Sequence, residues 1–253
     1  MRWYGQTREQ QQEIRSPGAW LTTVASRLCL DELGSARARR ERYVGEWIPE
    51  PVPGAAVIDP GERVTMDESI TMAYLIVLES LTPPQRVAFV LHDIFRYAFT
   101  EIADIVGRSP AACRQLASVA RARIREAQPS SPPSERQGEI VRVFRQAWES
   151  ADIAALMDIL DPEAVVIADG GGLVAAAPQP VRGSDQIASF FVSVAGDRAG
   201  LTLDERTVNG QPGLVAANNG VVVTVLAFQI TDDRIDHIWA VRNPEKLRPW
   251  SAA

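Results

Sequence analysis

Two groups of residues in this chain have the types and spacing for chemistry. The first is polar and falls late: Asp169, Asn209, His237 and Arg242, with the aromatics Trp148, Phe190 and Trp239. Converging in one cavity, they would make a small-molecule site in which His237 and Asp169 form an acid–base pair and the aromatic rings exclude water. The bland alternative is that Asp169 and Gly170-Gly171-Gly172 form a tight turn, with His237 a half-buried strand residue whose ring is hydrogen-bonded. The three glycines lack the spacing and the lysine of a phosphate loop. Nothing marks a nucleophile. Cys29 and Cys113 stand apart from each other and from the two histidines, inside apolar helical patterns. They read as small buried hydrophobes, so neither a metal nor a cofactor is expected.

The second group is basic. Arginines cluster at Arg37, Arg39, Arg40 and Arg42, and again at Arg108, Arg114, Arg121, Arg123 and Arg125. Taken alone, either cluster is as readily a solvated helix face as a phosphate-binding one. The later cluster, however, sits in a two-helix pattern running from Phe99 to Leu116. Ala103 is small where two helices would cross, Gly107 permits a tight turn, and Ser109 caps the next helix with Pro110 in its first turn. Ile102, Val106, Cys113 and Leu116 would close a miniature core. The second helix is then free to enter a major groove about 12 Å wide. Ser109, Ala111, Ala112, Arg114, Gln115 and Ser118 would face outward. Arg114 and Gln115 suit guanine and adenine edges, whereas Arg108, Arg121 and Arg123 suit phosphates.

The elements that must position these groups fall into two halves. The chain has 253 residues, room for two ordinary domains, and 46% are hydrophobic, enough for packed cores. The net charge of −6 is uneven: residues 1–128 carry 16 arginines against 16 acids, and the remainder 10 basic against 16 acidic residues. No apolar run approaches the roughly 20 residues that span a bilayer, and Met1-Arg2-Trp3-Tyr4 lacks the apolar core of a signal peptide, so a cytoplasmic protein without a membrane partner is expected.

Helical periodicity predicts helices over 17–42, 66–80, 85–91, 100–106, 111–125, 135–150, 152–160 and 184–194. Residues 47–61 hold four prolines and two glycines and read as an extended linker. A second break at 128–135, rich in Pro and Ser, marks the domain boundary. Beyond it, strands are expected at 164–168, 173–177, 201–208, 213–218, 221–230 and 234–241, with the nearly all-apolar Val221–Gln229 central. Helices followed by antiparallel strands make an α+β domain.

Leu81-Thr82-Pro83-Pro84-Gln85-Arg86-Val87-Ala88-Phe89-Val90-Leu91 and the helix-turn-helix after it resemble region 4 of an extracytoplasmic-function sigma factor. Residues 16–42 resemble the end of region 2, which in that family reads the −10 promoter element. Three short motifs narrow the likeness to the subgroup with a fused C-terminal SnoaL-like (NTF2-like) domain. Trp47-Ile48-Pro49-Glu50-Pro51 resembles its WLPEP, Asp169-Gly170-Gly171-Gly172 its DGGGK, and Asn243-Pro244-Glu245-Lys246-Leu247 its NPxKL. Leu173 stands where DGGGK has lysine, and Glu32, Gly34 and Arg27 depart from residues common in the family.

The resemblance implies a multidomain protein: a partial, N-terminally truncated sigma region 2 at 1–46, a proline-rich linker at 47–65, an all-α region 4 at 66–128 and an NTF2-like α+β domain at 129–253. It implies a non-enzymatic initiation factor whose partners are RNA polymerase core and promoter DNA. Arg37, Arg39, Arg40, Arg108, Ser109, Arg114, Gln115, Ser118, Arg121 and Arg123 would touch DNA. The C-terminal domain would regulate by intramolecular contact with the sigma regions and linker, through Trp47, Pro49, Glu50, Pro51, Asp169, Gly170, Gly171, Gly172, Asn243, Pro244, Lys246 and Leu247, and its cavity would admit an unknown small ligand. The competing readings are a degenerate sigma factor that binds DNA without polymerase, and a SnoaL-like small-molecule enzyme carrying a helix-turn-helix.

Overall fold

The structure is a computed structural model that describes residues 24–25, 28–35, 43–54, 71–127, 135–196 and 200–251. It divides into two units, Met1–Arg42 with Val77–Glu126 and Tyr43–Ile76 with Ala127–Ala253. The first unit is helical. After α1 (28–35) come the end of α2 (Met72–Ser80), α3 (Pro83–Phe89), α4 (Phe99–Val106) and α5 (Pro110–Ala127). Helix α2 follows Thr71, which is not helical and whose Oγ1 accepts the Tyr74 amide at 3.2 Å, a cap; residues 66–70 of the expected helix lie outside the described residues. Helix α3 begins where Thr82 and Pro83 say it should, and Gln85 Oε1 accepts the Thr82 amide at 3.0 Å. It continues into a π-helical turn, Val90–Ile94, which the sequence reading did not anticipate. Cys29 is exposed on α1, contrary to the expectation of a buried hydrophobe, whereas Cys113 is buried.

The second unit is a six-stranded sheet covered on both faces. Its strands are β1 (Leu160–Asp169), β2 (Val181–Arg182), β3 (Leu201–Val208), β4 (Gln211–Asn218), β5 (Val221–Thr231) and β6 (Arg234–Val241), in the order β2-β1-β6-β5-β4-β3. Only β1 and β6 pair in parallel. On one face pack α6 (Glu135–Glu149), α7 (Ile153–Ile159) and α8 (Ser184–Gly196), around Phe144, Trp148, Leu156, Ile187 and Phe191. On the other pack Ile48, Met72, Ala73 and Trp250 against Val215, Val225, Trp239 and Val241. Two covered faces explain why β5 reads as a continuous apolar run and sits centrally. Alternation along β1 sends Val166 and Ala168 to the helical face and Asp169 to the other.

The strand expected at 173–177 does not form. Gly171 and Gly172 are left-handed, and Leu173 and Val174 donate back to the Gly170 carbonyl, so this apolar stretch is a loop. Residues 43–54 are not a free spacer either. Val52 exchanges both backbone groups with Asn209, through the Asn209 Oδ1 and N–H, and the Gly54 amide donates to Thr207 O. The segment thus belongs with the sheet rather than forming a separate linker.

Candidate functional site

Helix α5 divides lengthwise into a buried stripe and an exposed face. Cys113, Ala117, Ala120 and Ile124 recur at helical spacing and are buried. Behind them Ala88, Ile102 and Ala103 complete the core, with Val106, Phe99 and Leu116 at its margin. Burial pushes the Cys113 thiol up, keeping it neutral. On the opposite face Ser109, Arg114, Gln115 and Ser118 are exposed, as are Arg108 and Arg123. Ser109 Oγ accepts the Ala112 amide at 3.2 Å, capping the helix. Glu101 reaches back to the Ala98 amide at 2.9 Å to cap α4. The Arg114 guanidinium lies over the Phe99 ring, 5.3 Å from its centroid, which steers the side chain without burying it.

Arg121 stands differently from its neighbours. Its Nε donates to Asp93 Oδ1 at 2.7 Å and ties the π turn to α5, a partner that the sequence did not indicate. Arg37, Arg39 and Arg40 lie outside the described residues. Gly107 ends α4 at φ 69° and ψ 38°. A side chain there meets no neighbour, so its cost is purely conformational. Gly107→Ala should lower the stability of this unit by about 1–2 kcal/mol, read by denaturant unfolding.

The second site is a buried latch in the sheet unit. Asp169 is fully buried, and its carboxylate is saturated. Oδ1 accepts the Tyr43 hydroxyl at 2.6 Å and the Gly171 amide at 2.9 Å; Oδ2 accepts the Ile48 amide at 3.0 Å and Lys246 Nζ at 2.7 Å. Lys246 is the only lysine in the chain. It also donates to the Ile48 carbonyl at 2.5 Å and lies 4.3 Å from the Trp47 ring centroid and 4.9 Å from that of Tyr43. Asn243 Nδ2 donates to the Tyr43 hydroxyl at 2.7 Å, and Trp250 Nε1 to the Pro51 carbonyl at 2.9 Å.

Residues at 47–51, 169–172 and 243–247 therefore meet in one cluster. Pro49, Pro51, Gly170 and Leu247 are buried around it, while Glu50, Gly172 and Pro244 are exposed. Gly171 has φ 64°, and a Cβ there would collide with the Asn243 side chain, so the turn that aims its amide at Asp169 requires glycine.

Tyr43 was missed at the sequence level; its position just ahead of the proline motif was the one available hint. Burial, then the hydrogen bond to Asp169, push its phenol well above the ordinary tyrosine value. A folded pKa raised above the unfolded one stabilises at lower pH and is lost as pH climbs. Stability should thus fall as pH rises beyond about 10, the ordinary phenol pKa. Tyr43→Phe should flatten that fall and cost roughly 1.5–3 kcal/mol at neutral pH, the loss of a hydrogen bond to a charged group.

The proposed acid–base pocket is not assembled. His237 pairs in register with Val165, and Asp169 with Val241, so the two side chains are four residues apart along the strands. That is roughly 13 Å at about 3.3 Å per residue. Asp169 is committed to Lys246 and Tyr43; His237 stacks on Trp239, 5.6 Å between ring centroids. Asn209 holds Val52. Of the pocket candidates, Trp148, Phe190 and Arg242 line a cavity of about 40 Å³ on the helical side of the sheet. Among the described residues no group of His, Cys, Asp and Glu is arranged to hold a metal ion, and no helix is long and apolar enough to cross a membrane.

Residues 72–124, which span α2 to α5 almost entirely, match the family described as Sigma-70, region 4. The chain is 38% identical over 249 residues to the ECF RNA polymerase sigma factor SigJ of Mycobacterium tuberculosis, covering 92% of this chain and 79% of that protein. It belongs to the extracytoplasmic-function (ECF) RNA polymerase sigma factors. The probable ECF RNA polymerase sigma factor SigI of the same species is 34% identical over 243 residues, 95% of this chain and 81% of that one. The crystal structure of SigJ aligns with a TM-score of 0.66 at 34% identity, over 92% of this chain and 83% of that chain. This ECF sigma factor is a transcription initiation protein whose α4 and α5 form the helix-turn-helix of region 4 and whose C-terminal domain is an α+β domain built on a six-stranded sheet.

Proposed function

We propose that this cytoplasmic sigma factor directs RNA polymerase core to promoters by setting α5 into the major groove of a −35-type element, with its C-terminal domain acting as a tethered regulator rather than an enzyme. The observation that carries the DNA-reading role is the division of α5 into a buried Cys113–Ile124 stripe and an exposed face of Ser109, Arg114, Gln115 and Ser118. Arg114, Gln115 and Ser118 read base edges; Arg108, Ser109 and Arg123 meet phosphates. Arg121 fixes α5 through Asp93.

The regulatory role rests on the latch. In sequence, residues 43–54 join the arginines at 37–42 to region 4, and Asp169, Asn209, Asn243 and Lys246 grip that connection. A covalent tether raises the effective concentration of such a contact to about the millimolar range, so the gripped state is populated without high intrinsic affinity.

Selection of bound sequences from a randomised duplex library, followed by capture of RNA polymerase core on the selected DNA, tests both partners. A single recovered motif that recruits core only when the chain is present is the expected result. Recovery of no motif removes the DNA-reading role, and a motif without core recruitment favours a DNA-binding protein that does not engage polymerase. Salt dependence separates the contacts. Arg123→Ala should weaken binding to all sequences alike and reduce the slope of log K against log salt by about 1.

A further inference from the structure

We propose that the cavity on the helical face of the sheet is a binding site for a short-chain carboxylate, and that its occupancy is communicated to the latch on the opposite face. The lining is apolar, with Trp148, Phe190, Leu201 and Leu226 among its walls, except at one end, where Thr224 and Arg242 stand. These two lie one step beyond the Val225–Val241 pair of β5 and β6, and so are neighbours on the same face. An apolar chamber closed by a guanidinium and a hydroxyl suits an anion with a short hydrocarbon tail: the planar fork of arginine matches a carboxylate. A water needs about 10–15 Å³ of such space, so roughly 40 Å³ accommodates about three or four water-sized groups, enough for the short hydrocarbon tail of propionate or butyrate with its carboxylate at Arg242.

One loop serves both sites. Residues 170–177 begin at the latch, where the Gly171 amide donates to Asp169. They end at the cavity, where Ala176 and Ala177 form part of the wall and the Ala175 carbonyl accepts Arg242 Nη1. Strand β6 makes the same connection from the other side: Arg242 lines the cavity, Asn243 holds Tyr43, and both of their amides donate to the Asp169 carbonyl, at 2.7 and 2.9 Å. A carboxylate that takes the Arg242 fork from Ala175 removes one anchor of this loop and shifts the backbone that carries Asn243. The inference deepens the regulatory reading above, since it supplies that latch with a ligand. Its test is binding itself and involves no DNA, so the two readings fail separately.

Isothermal titration of the full chain with propionate and butyrate, against propionamide and 1-propanol, provides the test. The acids should bind saturably and about tenfold or more tighter than the neutral compounds, the loss expected for one charge-assisted pair. Arg242→Gln should abolish that preference. Ala176→Leu, which fills the chamber and leaves Arg242 in place, should abolish binding of the acids while leaving the thermal unfolding profile intact. Hydrogen exchange at the Ile48 amide, donor to Asp169, should change when the acid is bound. Absence of saturable binding, equal affinity for acid and amide, or an unaltered preference in Arg242→Gln overturns the site. Bound acid with unchanged Ile48 exchange overturns the coupling.

Discussion

Asp169→Ala should destabilise the C-terminal domain by about 3–5 kcal/mol, the cost of stranding a buried charge when its partner is removed. The Lys246 side chain is 8% exposed and that of Asp169 not at all, so neither charge recovers hydration when the other is lost. Three further donors, from Tyr43, Ile48 and Gly171, would lose their acceptor in the same variant. Lys246→Met should cost a similar amount for the mirror reason, leaving the Asp169 carboxylate buried beside a thioether. The double variant should cost clearly less than the two singles together, because removing both charges removes the desolvation that each imposes. Denaturant unfolding of the four proteins, followed by tryptophan fluorescence, measures this cycle. A loss below about 1 kcal/mol in both singles would mean that the latch opens without cost, and with it the regulatory role would fall.

Much of this architecture was legible because its punctuation is local. Pro83, Gly107 and the Ser109-Pro110 pair mark helix ends by their own backbone preferences, and those ends stand where the sequence puts them. The apolar run of β5 announced a central strand, and β5 lies inside the sheet between β6 and β4. The pocket was misassembled for a reason also visible in the sequence. His237 and Trp239 share one parity along β6 and Arg242 the other, so alternation alone places them on opposite faces. Asn209 and Asp169 were drawn toward that pocket by residue type, whereas tertiary pairing assigns both to the 43–54 segment. The apolar stretch at 173–177 resembled a strand, but the left-handed glycines just before it turn the chain into a loop whose Ala176 and Ala177 line the cavity. Tyr43 and Trp250 carried no pattern of their own; their roles exist only through partners about 126 and 199 residues away.

Arg114→Ala should erase base preference at one position of the promoter element while leaving the others intact. A bidentate arginine–guanine pair contributes about 1–3 kcal/mol of discrimination, or roughly 5- to 150-fold between the right and wrong base. Arg114 is suited to that task because its guanidinium rests against Phe99, a residue of α4, which limits the rotamers it must give up on binding. Arg114→Lys separates charge from geometry. It keeps the phosphate attraction and the salt dependence but loses the two-pronged fork, so specificity at that position should collapse while affinity for nonspecific duplex is retained. Phe99→Leu, which leaves an apolar group in the core margin and removes the aromatic face, should produce a smaller loss of discrimination in the same direction. Competition binding against duplexes substituted one base pair at a time reads all three variants. If Arg114→Ala and Gln115→Ala both leave every position's preference unchanged, α5 does not read bases, and the DNA interface must lie on another surface of region 4.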